Sequence, residues 1–459
     1  MRTLFRLCGV VGGGLLLASL SGATACAAAA SAPKSRPNII LILADDLGYE
    51  GLSCYGSASG QTPRLDRLAA QGLQFTHCYA QPLCTPSRLQ LMTGSYNVRN
   101  YTQFGDMLPN EKTFGNYLRE RGYATCIAGK WQLGGDRHTI AEFGFDLHLL
   151  WWLEKRTQRY RNVGDLIQDR AVRPGKPGEY GPDVVNDYVL EFITQQTKQG
   201  QPFFCYYPMM LPHAPMSPTP KSDRAKVEAS APMPKAPKAA DGDAAADDGE
   251  KGGDPRYFPD MVNYMDGLVG RVVDRLDELG IRENTLLIFT GDNGTNTRVT
   301  TRMKDGSLIH GGKGRTTDAG TRVPLLISWP GVVQPGRVED SLVDFTDFLP
   351  TLCQIAGYAS SEIPKGDGIS LLPLLRGDRT AARDWSYCWY SSDGTPAKAR
   401  KYARTLRYKL YADGRFFDLA HDSLEKNPLP AAQITAALRP IHTRLKTILD
   451  RYDAIEAKR

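Results

Sequence analysis

A nearly continuous apolar run extends from Asn38 to Ala44 and ends in two aspartates. A run that does not alternate with polar residues is typical of a strand buried on both faces of a parallel sheet. Comparable runs occur at 286–290 and 323–329, and apolar residues recur at helical spacings of three and four over 262–279. Strands that alternate with helices predict an α/β fold, with a large, mostly parallel sheet sandwiched by helices.

The pattern changes near residue 380. Short alternating runs, such as Tyr408 to Tyr411, predict a small antiparallel sheet, and apolar spacing around Leu445 predicts a last helix that has Pro440 near its start or at a kink. At 459 residues the chain is long enough for more than one folding unit. We therefore predict a large domain over 37–380 and a small C-terminal α+β subdomain over 381–459.

The N-terminus has the features of an export signal. Arg2 and Arg6 precede a short apolar run that is too short to span a bilayer, and small residues follow it. We predict a cleaved signal peptide over 1–27 and a linker over 28–36, hence a periplasmic or extracellular protein with no transmembrane span. A second interpretation stays open, in which a lipid is attached at Cys26, because this cysteine follows the small residues as in a bacterial lipoprotein.

Residues 221–255 differ in composition from the rest of the chain. They are mostly Ala, Pro, Lys, Asp and Gly, with almost no large apolar side chain. Such a segment cannot bury enough apolar surface to offset the entropy lost on ordering. We predict a disordered surface insertion.

Composition narrows the function only slightly. The net charge of +6 is mild for this length and is compatible with an anionic substrate. The chain has no nucleic-acid-binding motif and no dense Lys/Arg block, so we expect no nucleic-acid partner. Seven cysteines follow the predicted signal peptide, and their spacings show neither a disulfide framework nor a CxxC pair.

Polar and charged residues closely follow four of the predicted strands: Asp45 with Asp46, Lys130, His213, and Asp292 with Asn293. Because ligand sites of open α/β sheets lie at the carboxyl ends of the strands, we expect these side chains to lie together. Three carboxylates and an amide oxygen form a hard donor set that suits Ca²⁺ or Mg²⁺. Lys130 and His213, together with Arg88 and Lys313, can bind a tetrahedral anion and stabilise charge on its oxygens.

The most specific motif is Cys84-Thr85-Pro86-Ser87-Arg88-Leu89-Gln90-Leu91-Met92-Thr93-Gly94. Pro86 suits the first position of a helix, which would place Cys84 at the positive end of the helix dipole. Arg88 lies about one turn further along and can point at the same place. An isolated cysteine before a helix is more often an ordinary buried residue. The full string is much more specific than that.

The motif resembles the signature of the type I sulfatases, C-x-P-S-R-x-x-L-(M/L)-T-G, and the resemblance extends from about Arg36 to Leu419. It implies an alkaline phosphatase-like fold and the hydrolysis of sulfate esters. In that family a formylglycine-generating enzyme oxidises the cysteine to formylglycine, whose hydrate is the nucleophile. The resemblance therefore implies a formylglycine at Cys84, and export together with family habit points to sulfated carbohydrates as substrates.

The resemblance also implies roles for single residues. The implied ligands of a divalent cation, Ca²⁺ or Mg²⁺, are Asp45, Asp46, Asp292, Asn293 and the hydrate formed at Cys84. The other implied catalytic positions are Arg88, Lys130, Gln132, His213 and Lys313. Of these, His213 or Lys313 would give a proton to the leaving alcohol.

Two positions depart from the family pattern: Gln132, and Ser95, where many members have an arginine after Thr-Gly. Where the family has G-K-W-H-L-G, this chain has Gln132, and the missing histidine is the expected base for the step that releases sulfate. A glutamine can form hydrogen bonds there but cannot accept a proton at ordinary pH. His138 and His310 are nearest in sequence to the matched motifs, although each is equally well interpreted as a surface residue.

Two other functions stay open. The first is hydrolysis of phosphonates or phosphodiesters, because relatives with that activity share the same machinery. The second is a degenerate member of the family that binds sulfated glycans without turning them over, which Gln132 would permit. The otherwise full set of matched residues argues against the second.

Overall fold

A ten-stranded mixed sheet forms the centre of the fold. The computed structural model describes residues 36–234 and 252–459. The strands of all the sheets in the described residues are β1 (Asn38–Ala44), β2 (Leu73–Tyr79), β3 (Ala124–Lys130), β4 (Leu147–Trp151), β5 (Leu166–Gln168), β6 (Ala171–Arg173), β7 (Phe203–Pro208), β8 (Thr285–Gly291), β9 (Thr300–Arg302), β10 (Leu308–His310), β11 (Arg322–Ser328), β12 (Arg337–Asp344), β13 (Ser386–Tyr390), β14 (Arg400–Arg404), β15 (Tyr408–Tyr411) and β16 (Phe416–Asp418). The order in the large sheet is β12-β2-β11-β8-β1-β7-β3-β4-β5-β6.

Helices cover the large sheet on both faces. The α-helices of the described residues are α1 (Pro63–Ala70), α2 (Cys84–Thr93), α3 (Phe114–Glu120), α4 (Gly181–Gln199), α5 (Arg224–Ala229), α6 (Phe258–Glu278), α7 (Asp318–Thr321), α8 (Phe348–Ile355), α9 (Leu372–Leu375) and α10 (Arg439–Glu456). Strand β1 shows the two layers directly, because Ile39 and Leu41 pack into one hydrophobic core and Ile40 and Ile42 into the other. This explains why the strand reads as a continuous apolar run.

The sheet contains both parallel and antiparallel pairs. Strands β8, β1, β7, β3 and β4 run parallel to one another in its centre, and β12 is parallel to β2 at one edge. Strand β11 is antiparallel to both β8 and β2, and β5 is antiparallel to β4 and to β6. The α/β class predicted from the sequence is confirmed, and the sheet as a whole is mixed. The apolar run of β11 predicts a buried strand but contains no information about its direction.

A second, four-stranded antiparallel sheet lies near the C-terminus, in the order β13-β14-β15-β16, and α10 packs against β14 and β15. Pro440 lies in the first turn of α10 and not at a kink. Trp389 and Leu445 belong to the same hydrophobic core as Ile39, so this sheet is packed onto the large one. The predicted small antiparallel sheet is confirmed, while the boundary at 380 stays a prediction.

The predicted disordered insertion is wrong for its first part. Residues 221–234 contain α5, and the side chain of Asp223 caps this helix by accepting a hydrogen bond from the Lys226 amide. Arg256 also donates hydrogen bonds to the carbonyl oxygens of Glu228 and Ser230. These polar contacts order a segment that has little apolar surface to bury. The remainder, 235–251, and the predicted signal peptide and lipidation site at Cys26 lie outside the described residues.

Two further features bear on the predictions made for an exported protein. The cysteines of the described part of the chain, Cys54 to Cys388, are all free thiols. Among the helices that the structure describes, none combines the length and apolar character needed to cross a membrane.

We expect Leu276→Ala, in the buried stripe of α6, to lower the free energy of unfolding by about 2–5 kcal/mol, since Leu276 is fully buried against the sheet and its truncation leaves a cavity. The matched control is Asp277→Ala at the next, exposed position, which should change it by less than about 0.5 kcal/mol. Thermal unfolding of both variants measures the difference. Equal effects would contradict the assigned orientation of α6.

Candidate active site

The predicted metal ligands meet at the carboxyl ends of adjacent strands. Asp45 and Asp46 directly follow β1, and Asp292 and Asn293 directly follow β8, its parallel neighbour. The Asp46 amide donates to Oδ1 of Asp292 at 2.9 Å, and Nδ2 of Asn293 donates to Oδ1 of Asp46 at 2.8 Å. Asp46 has a φ of 64°, a left-handed conformation that aspartate tolerates better than most residues. We call these four residues the acidic cluster.

Two buried cations contact the acidic cluster. Lys130, the last residue of β3, donates through Nζ to both carboxylate oxygens of Asp45 at 2.8 Å. Arg88 of α2 donates through Nη2 to Asp292 at 2.8 Å and to Asp45 at 3.4 Å. Its Nη1 donates to the carbonyl oxygen of Lys130 at 2.9 Å. Arg88 thus ties α2 to both strand ends and points at the carboxylates.

A lysine and a histidine contact Asp46 of the cluster. Nζ of Lys313 donates to Oδ2 of Asp46 at 2.8 Å and lies 3.0 Å from Nε2 of His213. Nε2 of His213 is in turn 3.5 Å from Oδ2 of Asp46. All three side chains are at most 2% exposed. Lys313 therefore connects the acidic cluster to the histidine.

Burial and the nearby positive charges shift the pKa values of the carboxylates in opposite directions. For Asp45, burial favours the neutral acid, but Lys130, His213 and Arg88 outweigh it and hold its pKa well below the usual range. Burial raises the pKa of Asp292 to about 7, and the neighbouring Asp45 adds to this rise. Burial also lowers the pKa of His213, so its neutral form is favoured. For Asp292, therefore, Arg88 and Lys130 do not fully offset the cost of burying a charge, and a divalent cation would lower that cost.

The donor atoms fit such a cation. Carboxylate oxygens of Asp45 and Asp46 and a ring nitrogen of His213 lie within 4.8 Å of one another. Within the described residues, Oδ1 of Asn293 is buried and has no hydrogen-bond partner, so it is available as an additional oxygen ligand. An oxygen-rich site of this kind suits Ca²⁺ or Mg²⁺.

Cys84 is the first residue of α2 and is buried. Pro86 is thus the third helical residue and not the first, a position where its missing N–H still costs no intrahelical hydrogen bond. Burial raises the pKa of the Cys84 thiol, and the charges of Lys130 and Lys313 oppose that rise. The guanidinium of Arg88 is engaged with Asp292 and Asp45, and its charge also interacts with Cys84.

Gln132 lies two residues beyond Lys130, close to the start of α2, where Oγ1 of Thr85 is 3.5 Å from its carbonyl oxygen. It has a left-handed φ of 57°, and its side-chain Oε1 is buried without a partner among the described residues. Neither proposed substitute base joins it. His138 is exposed, and Nδ1 of His310 is hydrogen-bonded to Thr300.

Sequence reasoning missed the residues behind His213. Arg159 is buried, its guanidinium stacks 4.2 Å from the Trp151 ring, and its Nη1 lies 2.8 Å from Nδ1 of His213. The hydroxyl of Tyr160 donates to the carbonyl oxygen of His213. No local motif marks either residue, because the loop after β4 reaches His213 only through the tertiary fold.

Trp151 and Trp152, two consecutive tryptophans at the end of β4, have different environments. Trp151 is fully buried, whereas Trp152 is half-buried. Trp152 has a left-handed φ of 59°, and the centre of its ring lies 5.7 Å from Nζ of Lys130. A strained aromatic residue next to a charged site is often functional. Trp152 is therefore the member of the pair that lies at the site.

Comparison with known proteins decides the family. A model of the sulfatase family matches residues 37–358, and a model of the C-terminal region of N-sulphoglucosamine sulphohydrolase matches 313–451. The chain is 32% identical over 438 residues to arylsulfatase A of Homo sapiens, which covers 88% of this chain and 79% of the relative. The chain belongs to the sulfatase family. The sulfatase is thus a sulfuric ester hydrolase.

Two other relatives agree. The sulfatase is 32% identical over 409 residues to N-acetylgalactosamine-6-sulfatase of Canis lupus familiaris, which covers 81% of this chain and 72% of the relative. A protein whose structure was solved in complex with its substrate, D-glucosamine-2-N,6-O-disulfate, superposes with a TM-score of 0.76 at 21% identity, covering 92% of this chain and 99% of that one. The last comparison establishes the fold.

We expect calcium chloride to raise the melting temperature of the sulfatase, because a cation bound only by the folded state at 100 times its Kd adds about 2.7 kcal/mol to the free energy of unfolding. Asp292→Asn should remove most of this gain, whereas Asp413→Asn, at an exposed carboxylate of the C-terminal sheet, should keep it. Thermal unfolding with and without a chelator measures both. An equal gain in both variants would place the cation elsewhere.

Proposed function

We propose that the sulfatase hydrolyses sulfate esters of carbohydrates through a formylglycine made from Cys84 and a divalent cation, Ca²⁺ or Mg²⁺, held by the acidic cluster. The observation that carries this proposal is the position of Cys84. It begins a helix next to the acidic cluster, and the charges of Lys130 and Lys313 act on it. The positive end of a helix dipole stabilises an oxyanion at this position.

The formylglycine hydrate would supply the attacking hydroxyl, and the cation would polarise the sulfate oxygens. The chain's own side chains would bind and orient the sulfate: Lys130 donates next to Asp45, and Lys313 donates next to Asp46. Arg88 would hold Asp292 and Asp45 ionised and in place. Because these groups are buried and preorganised, they would stabilise charge that develops in the transition state without reorganisation.

Protonation of the leaving alcohol falls to Lys313 and His213. Their nitrogens are 3.0 Å apart, so a proton that leaves one can be replaced from the other. Arg159, at Nδ1, and Tyr160, at the carbonyl oxygen, hold His213 in place. In this proposal the pair acts as the general acid, which is worth about 10²–10⁴ in rate.

Three features support sulfated carbohydrate as the substrate class. Two of the relatives are described by their names or complexes as acting on sulfated amino sugars. Trp152 is a half-buried aromatic surface at the site and can stack against a sugar ring. The predicted export would bring the enzyme to polysaccharides outside the cytoplasm, with a formylglycine-generating enzyme as its maturation partner.

We expect a peptide mass spectrum to show an aldehyde at Cys84 after expression in a host that converts sulfatase cysteines. The matched control is Cys84→Ala, which should abolish hydrolysis of sulfated sugars and leave the melting temperature nearly unchanged. A panel that also contains phosphonates and phosphodiesters tests the alternative activity. A thiol alone, in a host that converts another sulfatase, would overturn the formylglycine, and glycan binding without turnover would then become the favoured function.

Gln132 predicts slow release of sulfate, because it cannot accept a proton and, of the two histidines considered as substitutes, His138 is exposed and His310 is hydrogen-bonded to Thr300. We expect Gln132→His to raise kcat about tenfold or more, in line with the usual gain from a general base. In the parent enzyme a rapid burst of released alcohol should precede a slow steady rate, and the burst should disappear in the variant. Rapid-quench measurement of alcohol and sulfate checks both. A fall in kcat would instead show that the glutamine belongs to a working site.

A further inference from the structure

The segment that carries Lys313 has no regular structure of its own between β10 and α7, and contacts from three directions hold it. The Lys313 amide donates to the carbonyl oxygen of Thr295, two residues beyond Asn293, at 3.0 Å. The Gly314 amide donates to the carbonyl oxygen of Pro82, two residues before Cys84, at 2.8 Å. These two bonds tie the segment to the acidic cluster and to the start of α2.

The third set of contacts comes from the C-terminal sheet. Lys409 of β15 donates through Nζ to the carbonyl oxygen of Thr316 at 2.6 Å and to Oε1 of Glu425 at 2.9 Å. The hydroxyl of Tyr411, on the same strand, donates to Oε2 of Glu425 and lies 3.3 Å from the same Thr316 oxygen. The Asp318 amide donates to Oε1 of Glu425 at 3.3 Å. We call Lys409, Tyr411 and Glu425 the clamp.

The clamp contains two energetically unfavourable features, a buried ion pair and a residue with a left-handed backbone. The Lys409 and Glu425 side chains are 0% and 2% exposed, and Nζ of Lys409 lies 4.0 Å from the centre of the Tyr402 ring. Glu425 also has a left-handed φ of 55°, which is rare for a residue other than glycine. A buried ion pair is weak evidence for stability, because its desolvation offsets its attraction. Its use here is better explained by the geometry that it imposes on Thr316.

A neighbouring contact holds Asp318, which follows Thr316 along the segment. Arg404 of β14 donates to Oδ1 of Asp318 at 2.6 Å, and its guanidinium stacks 3.8 Å from the ring centre of Tyr79 at the end of β2. The segment from 313 to 318 is thus held at its far end by side chains of the C-terminal sheet and at its near end by the strand ends of the large sheet. Lys313 lies at the near end, with Nζ on Asp46.

We propose that the clamp positions Lys313 as a proton donor, so that the C-terminal sheet completes the active site. The inference rests on the proposed function, in which Lys313 and His213 protonate the leaving alcohol. The clamp residues do not touch the reacting atoms and are positioning residues. Substitution of the clamp residues should therefore lower the rate of hydrolysis most for substrates whose leaving group needs a proton.

Leaving-group dependence tests this directly. A sugar sulfate releases a poorly stabilised alkoxide and needs the proton, whereas 4-nitrophenyl sulfate releases a stable phenolate and does not. In Tyr411→Phe, which keeps the ring and removes the hydroxyl, we expect kcat for the sugar sulfate to fall about tenfold, with little change in KM or in kcat for 4-nitrophenyl sulfate. The matched control is Arg407→Gln in the same sheet, whose exposed pair with Asp418 lies outside the clamp.

A second variant and a second measurement guard against misfolding. The double change Lys409→Met with Glu425→Gln removes the ion pair without leaving one charge buried alone, and it should show the same selective loss. Hydrogen exchange of the Lys313 and Gly314 amides should be faster in both clamp variants, independently of any turnover.

The outcomes separate the two proposals. Equal losses for both substrates, or unchanged rates and exchange in both clamp variants, would overturn the positioning role while leaving the sulfatase mechanism intact. If the parent enzyme, without any substitution, hydrolyses neither sulfate, the proposed function is overturned, and the proposed role of the clamp with it.

Discussion

The structure depends on the burial of three carboxylates at the ends of two adjacent parallel strands. Asp45, Asp46 and Asp292 are fully buried, and each is in contact with a cation: Lys130, Lys313 or Arg88. Buried charges are tolerated only when they are paired. The register of β8 on β1, and the placement of α2 and of the segment 313–318, are therefore constrained by charge as much as by packing.

This constraint links the two sheets. The large sheet supplies the carboxylates, but one of their cations, Lys313, belongs to a segment that side chains of β14 and β15 hold in place. Cys84 and aromatic residues of the C-terminal sheet, Tyr390 and Tyr411 among them, also belong to one hydrophobic cluster. The small sheet is thus part of the wall of the site, which explains why it is packed into the core of the large one.

The departure at Gln132 lies in a distinctive local structure. Gln132 has a left-handed backbone, and its buried side-chain oxygen has no hydrogen-bond partner among the described residues. A neutral amide can orient a hydroxyl but cannot take its proton. The other matched residues, Arg88, Lys130, His213 and Lys313, are all present and buried, which favours hydrolysis over binding alone.

The sequence by itself determined the α/β class, most strand positions and the identity of the charged residues. An apolar run such as that of β1, and a motif such as that around Cys84, report on local burial and local chemistry, which neighbouring residues encode. Only the tertiary structure decided that β11 runs antiparallel, that Arg88 points at Asp292, and that Arg159 and Lys409 support the site. These depend on contacts between segments up to about two hundred residues apart. Such contacts leave no periodicity in the chain, because they follow from how the elements pack and not from any one element.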